Sequence, residues 1–189
     1  NIDLLVVAGY LREAVNARRA LIKLDWSPPA FFATIGPALP DWKGIFEKSA
    51  DHTFAPSVWE PNDSYTYPRA EEFASAFRIR FGMDASYQAA AAYAAGQILE
   101  AAILTAKSVD HDGVRAALVD LDTYTVLGRF AVDRTGMQVK RLDMISQWQN
   151  GHKEIVWPEK IRTSSASFGR AVKGDRFHHR GNGSFWALH

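Results

Sequence analysis

The stretch Asp3-Leu4-Leu5-Val6-Val7-Ala8-Gly9-Tyr10 constrains the fold more than any other part of the chain. Leu4 to Ala8 is an unbroken apolar run, which fits a strand buried on both faces, as in a parallel sheet. Gly9 ends the run and a helical pattern follows, so the chain opens with a strand–turn–helix unit. Open α/β sheets bind ligands outside the carboxyl ends of their strands. Tyr10 falls at such an end and is the first candidate ligand contact. The plainer alternative is a tyrosine that packs the strand–helix joint.

The repeat of this pattern extends the reading. Leu11 to Leu24 is helical, with Ala14, Ala17, Leu21 and Leu24 as its apolar face and Arg12, Arg18, Arg19 and Lys23 toward water. Trp26-Ser27-Pro28-Pro29 stops that helix. Ala30 to Thr34 reads as the next parallel strand, and Ile35-Gly36-Pro37 turns at the same sheet end as Tyr10. Leu39, Trp42 and Phe46 mark a short helix. Thr53 to Trp59 is extended, and Pro56 confines it to an edge or a connection. Two prolines and clustered aromatics, Tyr65 and Tyr67 among them, make the region near 55–67 a crossing between lobes.

Beyond it, Ala70, Phe73, Ala74, Phe77 and Phe81 predict an amphipathic helix, with Gly82 as its C-terminal cap. Ser86 is the expected N-cap of an alanine-rich helix from Tyr87 to about Ala106, read as buried against its neighbours. Tyr87 and Gln88 lie in its first turn, where unpaired N–H groups favour an anionic ligand group. The alternative is a tyrosine that only packs the helix start. Asp110 to Leu121 is a further helix, and Thr123 to Asp133 returns extended. Leu142, Met144, Ser146 and Trp148 alternate with polar neighbours, so a strand is predicted there. Asn150-Gly151 predicts a hairpin turn, with Lys153–Trp157 as the return strand. From Ser164 to His189 no period is visible, and the segment reads as a flexible tail. In that tail His178-His179 is an adventitious metal site at most, and Phe185-Trp186 fits no pattern.

Composition narrows the function classes. With 189 residues and 47% apolar content, the chain can build one domain or two small lobes around a real core. A formal net charge of +1 gives no electrostatic case for nucleic acid or an acidic membrane. No run of about 18 apolar residues predicts a membrane span. The chain opens on a strand without a signal peptide, which reads as a sequence whose earlier part lies elsewhere. It has no cysteine, so disulfides and thiolate metal sites are excluded. Neither phosphate-binding glycine motifs nor nucleophile-elbow or zinc-protease motifs occur. His52, His111 and His152 fall in predicted loops without ligand spacing. Aromatic residues instead cluster at loops and strand ends: Tyr10, Trp59, Tyr65, Tyr67 and Tyr87. That pattern suits a small-molecule cleft and favours binding over catalysis, with no cofactor and no metal.

Several stretches in order carry a resemblance. They are Val6-Val7-Ala8-Gly9-Tyr10, Pro56-Ser57-Val58-Trp59-Glu60-Pro61, Ser86-Tyr87-Gln88 through Ala95-Gly96-Gln97, Val126-Leu127-Gly128-Arg129-Phe130 with Asp133 and Gly136, and Gln147-Trp148-Gln149-Asn150-Gly151. Over about 3–162 the chain resembles the C-terminal half of periplasmic solute-binding proteins of the branched-chain amino acid ABC transporter type. The tail from Ser164 does not fit that family.

The resemblance implies an α/β fold, part of a two-lobed binding protein, with parallel sheets flanked by helices and a C-terminal β-hairpin. It implies βα units of the second lobe over 1–56, a crossing over 57–66 and first-lobe helices over 67–125. A return crossing and hairpin then span 126–163, and 164–189 lies outside. The implied ligand contacts are Tyr10, Gly36, Pro37, Trp59, Tyr87 and Gln88. The implied partners are a small polar solute, a membrane permease and the missing N-terminal half of the same protein, in the periplasm. Family members that bind leucine carry an acid in the loop after the second strand. Here that loop is Thr34-Ile35-Gly36-Pro37, without one, so an unpaired ligand ammonium would be costly. A carboxylate or amide is then at least as good a fit as an α-amino acid. A sensor domain of a receptor or regulator, or a truncated fragment without function, are the alternatives.

Overall fold

The computed structural model describes residues 2–61, 67–140 and 143–169. Tyr65, Leu142, His178-His179 and Phe185-Trp186 lie outside the described residues. In chain order the elements are β1 (Leu4–Val7), α1 (Leu11–Lys23), β2 (Ala30–Ala33), α2 (Asp41–Phe46), β3 (Thr53–Ser57), α3 (Ala70–Phe81), α4 (Tyr87–Ala106), α5 (His111–Asp120), β4 (Asp122–Thr125), β5 (Gly128–Ala131), β6 (Met144–Gln149) and β7 (His152–Trp157). The main sheet has five strands in the order β1-β2-β3-β6-β7. Its first three strands are parallel; β6 and β7 add on antiparallel as a hairpin. This is the expected α/β architecture with its C-terminal hairpin.

One face of the sheet carries the first core. Ala14, Val15 and Leu21 of α1 pack with Phe31, Ala33, Trp42, Phe46, Ala50 and Trp148. Trp42 lies 4.5 Å from Phe46, centroid to centroid, and its indole N–H donates to Thr53 Oγ1 at 3.0 Å. Such buried aromatic N–H groups need a partner, and Trp148 finds one in the Pro37 carbonyl at 2.7 Å.

Three expectations about this half change. The strand with Pro56 is neither an edge nor a connection: β3 lies between β2 and β6, and Pro56 pairs with Ile145 beyond the part of β3 that pairs with β2. β1 is not buried on both faces: it is an edge strand, and Leu4 and Val6 are 53% and 54% exposed while Leu5 and Val7 pack inward. The alternation is invisible in an all-apolar run. Arg18 does not face water but is buried. Its guanidinium donates to the Ser49 carbonyl at 2.7 and 3.2 Å and lies 5.5 Å from the Phe31 ring centroid.

The second core joins Trp59, Phe73, Ala85, Ala90, Ala94 and Val126. Gly82 ends α3 in the left-handed region and its N–H donates to Arg78 O at 2.8 Å, the expected cap. Ser86 caps α4, its Oγ accepting from the Ala89 N–H. The expectation that α4 is buried holds only for Ala90, Ala94 and Ala102; Leu99 and Leu104 are exposed. By length and apolar content this 20-residue helix is also sufficient to cross a membrane, contrary to the sequence expectation. Its packing on Trp59, Phe73 and Val126 makes it a helix of the α/β fold.

Residues 123–133 are not one extended return but an antiparallel hairpin, β4–β5, turning at Val126-Leu127. Gly128 sits at φ 102°, and a Cβ there would lie 2.7 Å from the Tyr67 ring. The Asn150-Gly151 turn forms as predicted, with φ of 51° and 75°, and β7 begins at His152, not in a loop. Residues 164–169, expected to be loose, pack against the main sheet, with Phe168 5.7 Å from Phe54.

Candidate ligand-binding rim

The carboxyl ends of β1 and β2 are tied together by one threonine. Thr34 N–H donates to the Val7 carbonyl at 3.1 Å. Its hydroxyl donates to Gly9 O at 2.6 Å and accepts from Gly9 N–H at 3.1 Å. The next turn is fixed by α1 itself: Tyr10 N–H donates to Glu13 Oε2 at 3.1 Å, and Tyr10 O accepts from Ala14 N–H. Hydrogen bonds from the backbone N–H groups of Glu13 and Tyr10 hold the Glu13 carboxyl below its ordinary range. Tyr10 therefore joins strand to helix through its backbone, while its side chain stands 77% exposed on the rim. Thr34 was not singled out by sequence reading. A threonine after an apolar strand, level with a strand–glycine turn, is the signal it offered.

Gly36, Pro37 and Trp59 have different surroundings from those of an open cleft. Gly36 is buried where a Cβ would lie 2.6 Å from both Ala14 Cβ and the Trp42 ring. Its place is dictated by close approach of backbone to core. Pro37 is buried beside it and accepts the Trp148 N–H. Trp59 is 2% exposed and packs edge-on against Phe73 at 5.7 Å. In this structure all three positions are buried in packing: Gly36 through its backbone, Pro37 and Trp59 through their rings.

Tyr87 and Gln88 open α4 in the helical half. Tyr87 is half-buried against the second core, and burial pushes its phenol pKa up, opposed by a hydrogen bond with Gln88. Gln88 is exposed. Among the described residues no hydrogen bond joins Tyr87 or Gln88 to Tyr10, Gly9 or Thr34. Sequence reading also missed Lys153 of β7. Its Nζ lies 2.9 Å from Glu60 Oε2 and 2.6 Å from Ala38 O, and both side chains of the pair are largely buried. It ties the segment after β3 and the turn after β2 to the hairpin. Among the described residues no group of three or more His, Cys, Asp or Glu could hold a metal.

Parallel strands flanked by helices, with a rim tied at their carboxyl ends, make this an α/β fold of the kind that places ligands at strand ends. A profile of the periplasmic binding protein family matches residues 1–153, and the chain belongs to that family. Solved structures agree on the fold. A leucine-binding protein from Thermotoga maritima is 19% identical with a TM-score of 0.70, over 81% of this chain and 43% of that one. The substrate-binding protein of a branched-chain amino acid transporter from Streptococcus pneumoniae, in complex with isoleucine, is 20% identical with a TM-score of 0.70, over 82% and 45%. An extracellular ligand-binding receptor from Rhodopseudomonas palustris is 24% identical with a TM-score of 0.69, over 82% and 48%. The chain thus spans under half the length of each of these structures.

Proposed function

We propose that this chain is the rim-bearing half of a substrate-binding protein that serves an ABC transporter outside the cytoplasm. In this reading it forms one side of a cleft for a small polar solute and contributes helices of the other, and the rest of the first lobe belongs to the same polypeptide. Lobes closing over the solute by hinge motion would present it to a membrane permease, with no bond made or broken. Tyr10 carries the reading: an aromatic side chain left exposed on a joint whose backbone is fully engaged. Tyr87 and Gln88 are proposed for the cleft from the helical side. The division into second-lobe, crossing and first-lobe segments belongs to the same proposal.

The ligand class follows from the rim. The residues Thr34 to Pro37 bring no carboxylate to β2's end, and Thr34's hydroxyl is already committed to Gly9. A carboxylate or amide with an aliphatic or aromatic body fits this rim at least as well as an α-amino acid. The test is calorimetry on a protein of the relatives' length that carries this sequence, titrated with leucine and with isovalerate, which has the carboxylate and no ammonium. Binding of either, weakened about tenfold or more by Tyr10→Ala, supports the reading, since a buried aromatic contact is worth roughly 1.5 kcal/mol or more. Unchanged affinity in that variant removes Tyr10 from the site.

A further inference from the structure

We propose that the second face of the main sheet is a docking groove for an extended peptide, and that the chain's own Ser164–Gly169 occupies it as a strap. Gln147 and Gln149 stand two residues apart on β6, so their side chains share the face opposite Trp148. On a solvated sheet face these carboxamides would be met by water. Instead Gln147 is wholly buried, and the segment that buries it is read through its backbone.

The contacts run in sequence across three strands. Thr163 anchors the strap to β7: its N–H donates to Ile155 O, and its hydroxyl accepts from Ile155 N–H, both at 2.9 Å. Above β6, Ser164 Oγ donates to Gln149 Oε1 and Gln149 Nε2 donates to Ser165 O, both at 2.8 Å. Gln147 then holds both backbone groups of one residue. Its Nε2 donates to Ser167 O, and its Oε1 accepts from Ser167 N–H at 2.9 Å. A carboxamide that exchanges two bonds with one residue imitates the pairing of a neighbouring strand. Over β3, Phe168 lies on Phe54, and Ser167 Oγ is 3.1 Å from His52 Nδ1. Phe168 and Gly169 then border a pocket with Ile2, Asp3, Trp26 and Pro29, at the amino ends of β1 and β2 and away from the Tyr10 rim. Backbone recognition by the two glutamines explains how a segment of serine and alanine can be ordered. The aromatic pair sets its register.

The strap can be tested on the full 189-residue chain, independently of any ligand. In the wild type the Ser167 amide is expected to exchange hydrogen about tenfold or more slowly than in an unstructured peptide, given its bond to a buried acceptor. Chymotryptic cleavage after Phe168, followed by mass spectrometry, is expected to be slow to a similar degree. Gln147→Ala should bring both rates to those of a free peptide while the amides of the β6–β7 ladder stay protected. Ser167→Pro, which deletes the donor without touching the sheet, should release cleavage after Phe168 in the same way. An unprotected Ser167 amide in the wild type would overturn the proposal. So would wild-type cleavage kinetics in Ser167→Pro.

Discussion

Arg18 brings a charge into the core and keeps it there by hydrogen bonds. Burial lowers its pKa to about 10, so it remains charged at neutral pH. The cost of that desolvation is offset by the Ser49 carbonyl, which receives two N–H groups of the guanidinium, and by the Phe31 face. Arg18→Met should destabilise the chain by about 1–3 kcal/mol, because Ser49 O loses buried donors. Arg18→Lys should recover little, since an ammonium cannot reproduce the planar fork. Urea denaturation followed by tryptophan fluorescence reads both. The position was legible in part: Ala14, Arg18 and Leu21 follow helical spacing, so Arg18 shares their face. Its charge placed it with the polar residues instead. Gly36 poses the opposite problem, since nothing local says that Ala14 and Trp42 will close on it. Gly36→Ala should cost about 1–3 kcal/mol by overpacking, measured the same way.

At the scale of elements, the turn after β5 is held by one carboxylate. Asp133 accepts from the Thr135 hydroxyl at 2.6 Å and from the backbone N–H groups of Thr135 and Met137 at 2.8 and 3.1 Å. The Thr135 hydroxyl is the chief cause that holds Asp133 below its ordinary value of 3.8. A depressed carboxyl pKa contributes stability above its unfolded value and loses it as pH falls through the folded one. The Thr135 and Met137 amides should therefore keep their exchange protection at about pH 4 and lose it as the pH falls further, through the lowered folded value, and Asp133→Ala should show the same loss at neutral pH. Two-dimensional NMR over that pH range checks this. Elements with local signals were legible in the sequence: the proline stop after α1, the Gly82 and Ser86 caps, and the Asn150-Gly151 turn. The β4–β5 hairpin was not, because it turns on Val126-Leu127, two apolar residues whose conformation follows from burial of Val126 beside Trp59. At the rim, Tyr10 was readable from its place after a strand. The burial of Trp59 against Phe73 was not readable, because an aromatic residue near a proline-rich loop looks alike whether it lines a cleft or fills a core.

Over the whole molecule, burial is uneven. The face of the sheet under α1 is closed, while Leu4 and Val6 stand open on the other beyond the reach of the strap. The helical half repeats this: α3 and α4 bury Phe73 and Ala90 against Trp59, yet Ile79, Phe81, Leu99 and Leu104 face outward. Phe73, Phe77 and Phe81 form a continuous ladder with centroid spacings of 5.9 and 4.5 Å. One end of that ladder lies in the core and the other at the surface. Apolar surface of this extent, rimmed by Arg69, Glu72 and Arg80, marks an interaction surface or an aggregation hazard. The 189-residue chain on its own should therefore bind a hydrophobic dye and self-associate as concentration rises. Ile79→Lys should reduce both without lowering the melting temperature, because Ile79 is 84% exposed and takes no part in the ladder. Dye fluorescence and light scattering over a concentration series decide the matter, and a dye-silent monomer throughout would refute it. On the proposed reading this chain holds only the helices of the first lobe, so leucine or isovalerate should leave its melting temperature unchanged. A rise with either ligand would mean that the Tyr10 rim and the Tyr87 helix suffice as a site by themselves.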